Sequence, residues 1–135
     1  MKKNRLLQLV FFAAAMFLYL PAIAQNESVV TLSGNAYITS GQTAFIDEDH
    51  CVIRNWSDKE TVISFYFRTN GSGQMKIALQ AKGKSQIEVS LLGKKKKVTL
   101  NSDAMSRIEL GTFKVKNPGY VKMDVRGVKR IGSVY

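Results

Sequence analysis

The stretch FIDEDHCVIRNW, Phe45 to Trp56, gathers three acids with the only histidine, the only cysteine and the only tryptophan of the chain. Three chemistries would use such a set. A cysteine nucleophile needs an imidazole within hydrogen-bond reach of its sulfur and a third group to orient that imidazole. His50 and Cys51 are sequence neighbours, and neighbours on a strand point to opposite faces, so the pair is expected to diverge. Cys51 then reads as a small buried hydrophobe that starts the strand CVIRNW. Zinc asks for about four ligands, which one histidine beside one cysteine supplies poorly. Calcium is better served, because Asp47 and Asp49 sit in a loop with backbone carbonyls, but DEDH lacks the spacing and the glycine of an EF-hand loop. The plainer reading of that run is a solvated turn.

No catalytic set emerges elsewhere. Glu88 and Glu109 alternate outward between apolar neighbours, the pattern of solvent-facing strand residues rather than of two carboxyls facing across a cleft. NGSGQMK joins two strands, so no helix N-terminus waits there for a phosphate. The sequence is read as a non-enzyme without a cofactor.

Binding chemistry is better represented. Trp56 with Asn55 stands at a strand end before the polar turn SDKE, and an aromatic wall beside an amide is a sugar-recognising arrangement. The competing role for Trp56 is to close one end of the core. Tyr37 and Tyr66 are further aromatic candidates, with packing again as the alternative. Lys94, Lys95, Lys96 and Lys97 lie in or beside a hairpin, either as a protected edge or as a patch for sulfated or uronic acid glycans.

The elements that must position these residues are strands. Met75, Ile77, Leu79 and Ala81 alternate in QMKIALQAK, as do Ile87, Val89 and Leu91 in SQIEVSLL, and Val121, Met123 and Val125 in YVKMDVRG. TVISFYFR is apolar on both faces, as expected of a central strand covered on both sides. TNGSG (69–73), KGK (82–84), GKKKK (93–97) and KNPG (116–119) read as turns. In RIELGTFKV the inward set shifts from Ile108 and Leu110 to Phe113 and Val115, and Gly111 marks a β-bulge at the shift. Only NSDAMSR (101–107) offers a helical turn, capped by Ser102 or Asp103. The expectation is an all-β protein, an antiparallel sandwich or barrel.

The address is read from the first residues. Lys2, Lys3 and Arg5 precede an apolar run from Leu6 to Leu20, then Pro21 and Ala22-Ile23-Ala24, the plan of a secretory signal cleaved near Ala24. The run falls short of the roughly 20 residues that span a bilayer. Residues 25–135 then form one domain, exported to the periplasm, the cell surface or the exterior, with no stable membrane anchor. Loss of 1–24 removes three basic residues and no acid, so the formal charge falls from +10 to +7. That excess favours anionic partners, among which nucleic acid suits an exported protein least. The lone Cys51 leaves no internal disulfide, so the core must hold the domain. KRIGSVY ends the chain still strand-like, which is read as the N-terminal part of a longer protein.

GNAYIT (34–39), NWSDKETVISFYF (55–67) and the run from GSGQMKIALQAKGKSQIEVSLLGKKKKVTL to RIELGTFKVKNPGYVKMDVRG resemble an uncharacterised secreted bacterial family, domain of unknown function 5077. That family is itself similar to jelly-roll carbohydrate-binding modules and commonly precedes a larger domain in one polypeptide. The resemblance covers most of residues 25–135 and implies a β-sandwich of jelly-roll type. Such modules often carry calcium-binding acids near the N-terminal strand, where this chain has Gly34-Asn35-Ala36, so no structural calcium is carried over. No ligand residues come with the family. The functional expectation is an exported, non-catalytic, carbohydrate-binding-like module, favouring acidic glycans and accessory to a downstream domain. The alternative is a structural spacer or protein-interaction domain that packs on a downstream catalytic or adhesive domain and exposes a large apolar patch.

Overall fold

The computed structural model describes residues 27–134, with side chains through Lys129. The signal segment expected at 1–24 and the terminal Tyr135 lie outside the described residues. Seven strands follow in order: β1 (Ala36–Ser40), β2 (Phe45–Asp47), β3 (Val52–Arg54), β4 (Val62–Thr69), β5 (Gly73–Leu91), β6 (Lys94–Val115) and β7 (Gly119–Val134). Five form an antiparallel sheet in the order β1-β4-β7-β5-β6, and β2 pairs with β3 in a short second sheet. Within the larger sheet only β5 and β6 are neighbours in both sequence and space, so the chain crosses over repeatedly and does not run as a meander. The protein is an antiparallel β-sandwich.

One long hairpin supplies both layers. β5 and β6 pair from Leu91↔Lys94 at the turn to Gly73↔Val115 at the open end. Lys96 and Phe113 lie 17 positions apart on the same strand, which in a straight strand is about 55 Å. Yet the Lys96 ammonium stands 5.8 Å from the centre of the Phe113 ring. The ribbon must therefore fold back over itself. Its near arm joins the large sheet through β5–β7 pairing at residues 83–91, and no such pairing with β7 exists at residues 73–81.

The corner and the bulge have separate sequence causes. Between Ala81↔Ser106 and Gly83↔Ser102, three residues of β6 face a single residue of β5. The Ser102 hydroxyl donates to the Ala104 carbonyl at 2.7 Å within that excess. Residues 101–107 are thus extended, and the helical turn expected there is corrected. Its capping residue serves instead to satisfy a bulged ladder. KGK is likewise no hairpin: Lys82, Gly83 and Lys84 run through the middle of β5, where Gly83 (φ 131) marks the bend. The second irregularity falls between Ile77↔Gly111 and Ala78↔Glu109, leaving Leu110 as the extra residue, as the shift in RIELGTFKV implies.

The core lies between the layers. Ile63, Phe65, Ile87, Val89, Leu91, Leu100, Leu110, Phe113, Met123 and Val125 are buried, and Met75, Ile77, Leu79 and Val121 pack against them. The alternations read in SQIEVSLL and YVKMDVRG therefore point as expected. β4 departs from expectation. It is central in the sheet, and Ile63 and Phe65 are buried, but Tyr66 and Arg68 emerge on an open face.

Two backbone positions are sensitive. Leu92 (φ 50) and Gly93 (φ 74) form the two-residue turn between β5 and β6, and two positive φ values define a type I′ turn. Leucine is unfavourable at such a φ and Leu92 is exposed, so Leu92→Asn is expected to stabilise the protein by about 1 kcal/mol, read as a higher midpoint in urea. Gly111 (φ 123) occupies a region reserved for glycine, so any side chain there strains the backbone whatever room the Lys96 side chain leaves. Gly111→Ala is expected to destabilise by about 2 kcal/mol in the same titration.

Candidate functional site

The stretch that concentrates the rare residues folds into the β2–β3 hairpin and the loop after it. Asp47 is paired with Val52 across the hairpin, which leaves Glu48 to Cys51 as a four-residue connection. Asp47 organises it: its carboxylate accepts from Arg54 Nε at 2.6 Å, from the His50 backbone at 3.2 Å, and lies 3.0 Å from His50 Nδ1. Cys51 is exposed, with φ 51, and its thiol donates to the Glu48 carbonyl at 3.5 Å. The expectation of a buried strand-initiating cysteine is corrected: a left-handed residue closes the turn, and β3 begins only at Val52. His50 and Cys51 address different partners.

Asn55 (φ 57) ends β3 in the left-handed conformation that asparagine tolerates best after glycine. It is exposed and serves first as the residue that turns the chain. Trp56, next in line, is 9% exposed and belongs to the hydrophobic core. The loop after it is pinned by Asp58, which accepts from the Thr61 backbone at 2.5 Å, from the Thr61 hydroxyl at 2.9 Å and from the Thr43 hydroxyl. A Cβ added at Gly127 would stand 3.3 Å from the Asp58 carbonyl and 3.9 Å from Trp56 Nε1. The indole is thus tucked under its own loop against β7. Its assignment as a sugar platform is withdrawn, since a ring enclosed by protein offers no face for stacking.

The aromatic face lies elsewhere. Ser64, Tyr66 and Arg68 share one side of β4. Register places Asp124, Lys122 and Tyr120 of β7 opposite them, and Tyr37 of β1 opposite Ser64. Tyr37 and Tyr66 are 50% and 39% exposed, and their rings meet edge to face at 5.8 Å and 70°. The Tyr37 hydroxyl donates to the Gly34 carbonyl at 3.2 Å. Beneath the rings Ser64 is fully buried and donates to Asp124 at 2.6 Å. Its proton being committed, the Thr39 hydroxyl 2.7 Å away acts as donor to it. Lys122 lies 3.0 Å from Asp124, and that hydrogen bond, with Tyr66 nearby, holds the ammonium above its ordinary range.

The same face continues across β5 and β6. Asp124 faces Ser90, which faces Lys95; Arg126 faces Glu88, which faces Lys97. Arg126 grips Glu88 through Nε at 2.9 Å and Nη2 at 2.8 Å. The lysine run therefore divides. Lys95 and Lys97 stand on the open face, whereas Lys94 and Lys96 have the parity of the inner one, where Lys96 reaches Phe113.

A family model for a domain of unknown function, DUF5077, matches residues 30–135, from just before β1 through β7. The chain belongs to that family. No curated protein matches it.

Within this DUF5077 domain the remaining candidates are dispersed. Glu88 is bound to Arg126 and Glu109 to Arg107, on different arms of the hairpin. For calcium, Asp47 is engaged by Arg54 and His50, and no group of three or more His, Cys, Asp or Glu side chains converges among the described residues. The polar row under the tyrosines escaped the sequence reading because TVISFYFR hides a single serine among large apolar residues. The period-two signal was present, since Ser64, Tyr66 and Arg68 alternate with Ile63, Phe65 and Phe67.

Arg54, then His50, hold the Asp47 carboxyl down at about 2 from its usual 3.8. The stability this pair contributes is fully present above the unfolded value of 3.8 and is lost as pH falls toward 2. Arg54→Ala should raise the Asp47 pKa toward its ordinary value, followed by carboxyl NMR titration. Trp56→Ala should cost about 3–5 kcal/mol in stability, because it removes a core aromatic rather than a surface platform, and native Trp56 fluorescence should be blue-shifted and shielded from iodide.

Proposed function

We propose that this chain is an exported, non-catalytic carbohydrate-binding module, accessory to a downstream domain, whose sugar-binding surface is the open face of the five-stranded sheet. The observation that carries this reading is the exposed Tyr37–Tyr66 pair set beside the polar row of Thr39, Ser64, Asp124 and Lys122. Tyrosine rings offer an apolar surface to the C–H face of a sugar while their hydroxyls stay wet. Asp124 and Lys122 supply an acceptor and donors at the same level, and the buried Ser64 fixes the carboxylate so that little rotamer freedom is lost on binding. A few fixed polar groups beside apolar rings is the composition of a recognition site. Export is supported by the basic, apolar and small-residue plan of residues 1–24.

The test is affinity electrophoresis through gels containing neutral and uronate-rich polysaccharides, with the thermal midpoint as a check on folding. Replacing both tyrosines, Tyr37→Ala with Tyr66→Ala, should weaken retention about tenfold while the fold survives, since neither ring belongs to the buried core. Retention unchanged in a folded double variant removes the tyrosine platform. A wild-type protein retained by no polysaccharide removes the carbohydrate reading and leaves a spacer or protein-interaction domain in its place.

A further inference from the structure

The open face carries a charge pattern that the aromatic pair alone does not need. Basic residues project from it, among them Arg68, Lys95, Lys97, Lys122, Arg126 and Lys129, and the acids Glu88 and Asp124 stand between them. Both acids are engaged, Glu88 by Arg126 and Asp124 by Lys122. Arg68, Lys95 and Lys97 take part in none of the ion pairs among the described residues. Their charge is therefore uncompensated, and all three are exposed. The line from Tyr37 through Ser64, Asp124 and Ser90 to Lys95 crosses four strand intervals, or about 19 Å. That is the span of an oligosaccharide and longer than a single sugar.

We infer that this face binds a linear uronate polysaccharide lying across the strands, stacked on Tyr37 and Tyr66 at one end and held by Lys95 and Lys97 at the other. The inference rests on the carbohydrate-binding reading and gives it a ligand class and a direction. Uronate is favoured over dense sulfate because Glu88 and Asp124 stand between the basic groups. A chain with one carboxylate per sugar can alternate with them, whereas a densely sulfated chain would be repelled. Only alternate lysines of the run take part. Lys94 and Lys96 belong to the inner side, and the Lys96 ammonium is committed to the Phe113 ring.

The division within the lysine run makes the test internal. Two double variants of equal charge are compared on immobilised polygalacturonate, a neutral glucan, dextran sulfate and polyglutamate. Lys95→Ala with Lys97→Ala should bind polygalacturonate about tenfold more weakly, with retention on the neutral glucan unchanged. The difference should shrink in about 0.5 M sodium chloride, where screening acts within a few ångströms. Lys94→Ala with Lys96→Ala should keep the wild-type affinity and lower the thermal midpoint instead. Equal losses in the two double variants overturn the inference, because net charge alone would then set affinity. So does binding to polyglutamate or dextran sulfate as tight as to polygalacturonate. If the tyrosine variants lose retention while Lys95 and Lys97 prove indifferent, the carbohydrate reading stands and this inference falls.

Discussion

The fold-back of the β5–β6 hairpin governs the rest of the structure. A ribbon of this length could extend as a two-stranded arm, but such an arm buries little and is marginal in water. Bending it at Gly83 and the Ser102–Ser106 excess brings Leu110 and Phe113 of the far arm into one core with Ile87 and Val89 of the near arm. Lys96, itself exposed, reaches across this closure. Its ammonium at the Phe113 ring keeps a favourable partner, and its methylene stem covers apolar surface that would otherwise face water.

Once the ribbon is folded, strand parity assigns every remaining side chain. One side of the five-stranded sheet holds Ile63, Phe65, Met123, Val125, Val89 and Leu91, and the other presents tyrosines, a hydroxyl-carboxylate row and cations. On the outer side Ser64 is buried against Asp124, while Tyr37, Tyr66, Arg68, Lys95 and Lys97 are exposed. Core residues and the exposed aromatic and charged residues thus occupy alternate positions of the same strands. Side chains on regular strands are held more rigidly than those on loops.

Much of the architecture was legible from period two alone. Alternation in SQIEVSLL and YVKMDVRG identified inward residues correctly, and the slipped pattern around Gly111 located a bulge. The reading failed where one residue had two meanings. Glycine in KGK signals a turn or a bend, and only tertiary pairing with β7 distinguishes them. Trp56 beside Asn55 could face water or core, and the deciding partner, Gly127, lies 71 residues on. Cys51 looked buried by type, but the hydrogen bonds of Asp47 shaped a turn that left it outside. Tyr37 and Tyr66 were recognisable as aromatic candidates, while their contact and the Ser64–Asp124 support beneath them depend on pairing across β1, β4 and β7.

The most direct measurement is NMR shift mapping of the isotopically labelled protein during titration with uronate oligosaccharides of defined length. Perturbations confined to the outer face, at Tyr37, Tyr66, Lys122, Lys95 and Lys97 with the Trp56 indole unmoved, are the result this account predicts. Shifts centred on Trp56 and Asn55, or none at saturating sugar, would contradict it.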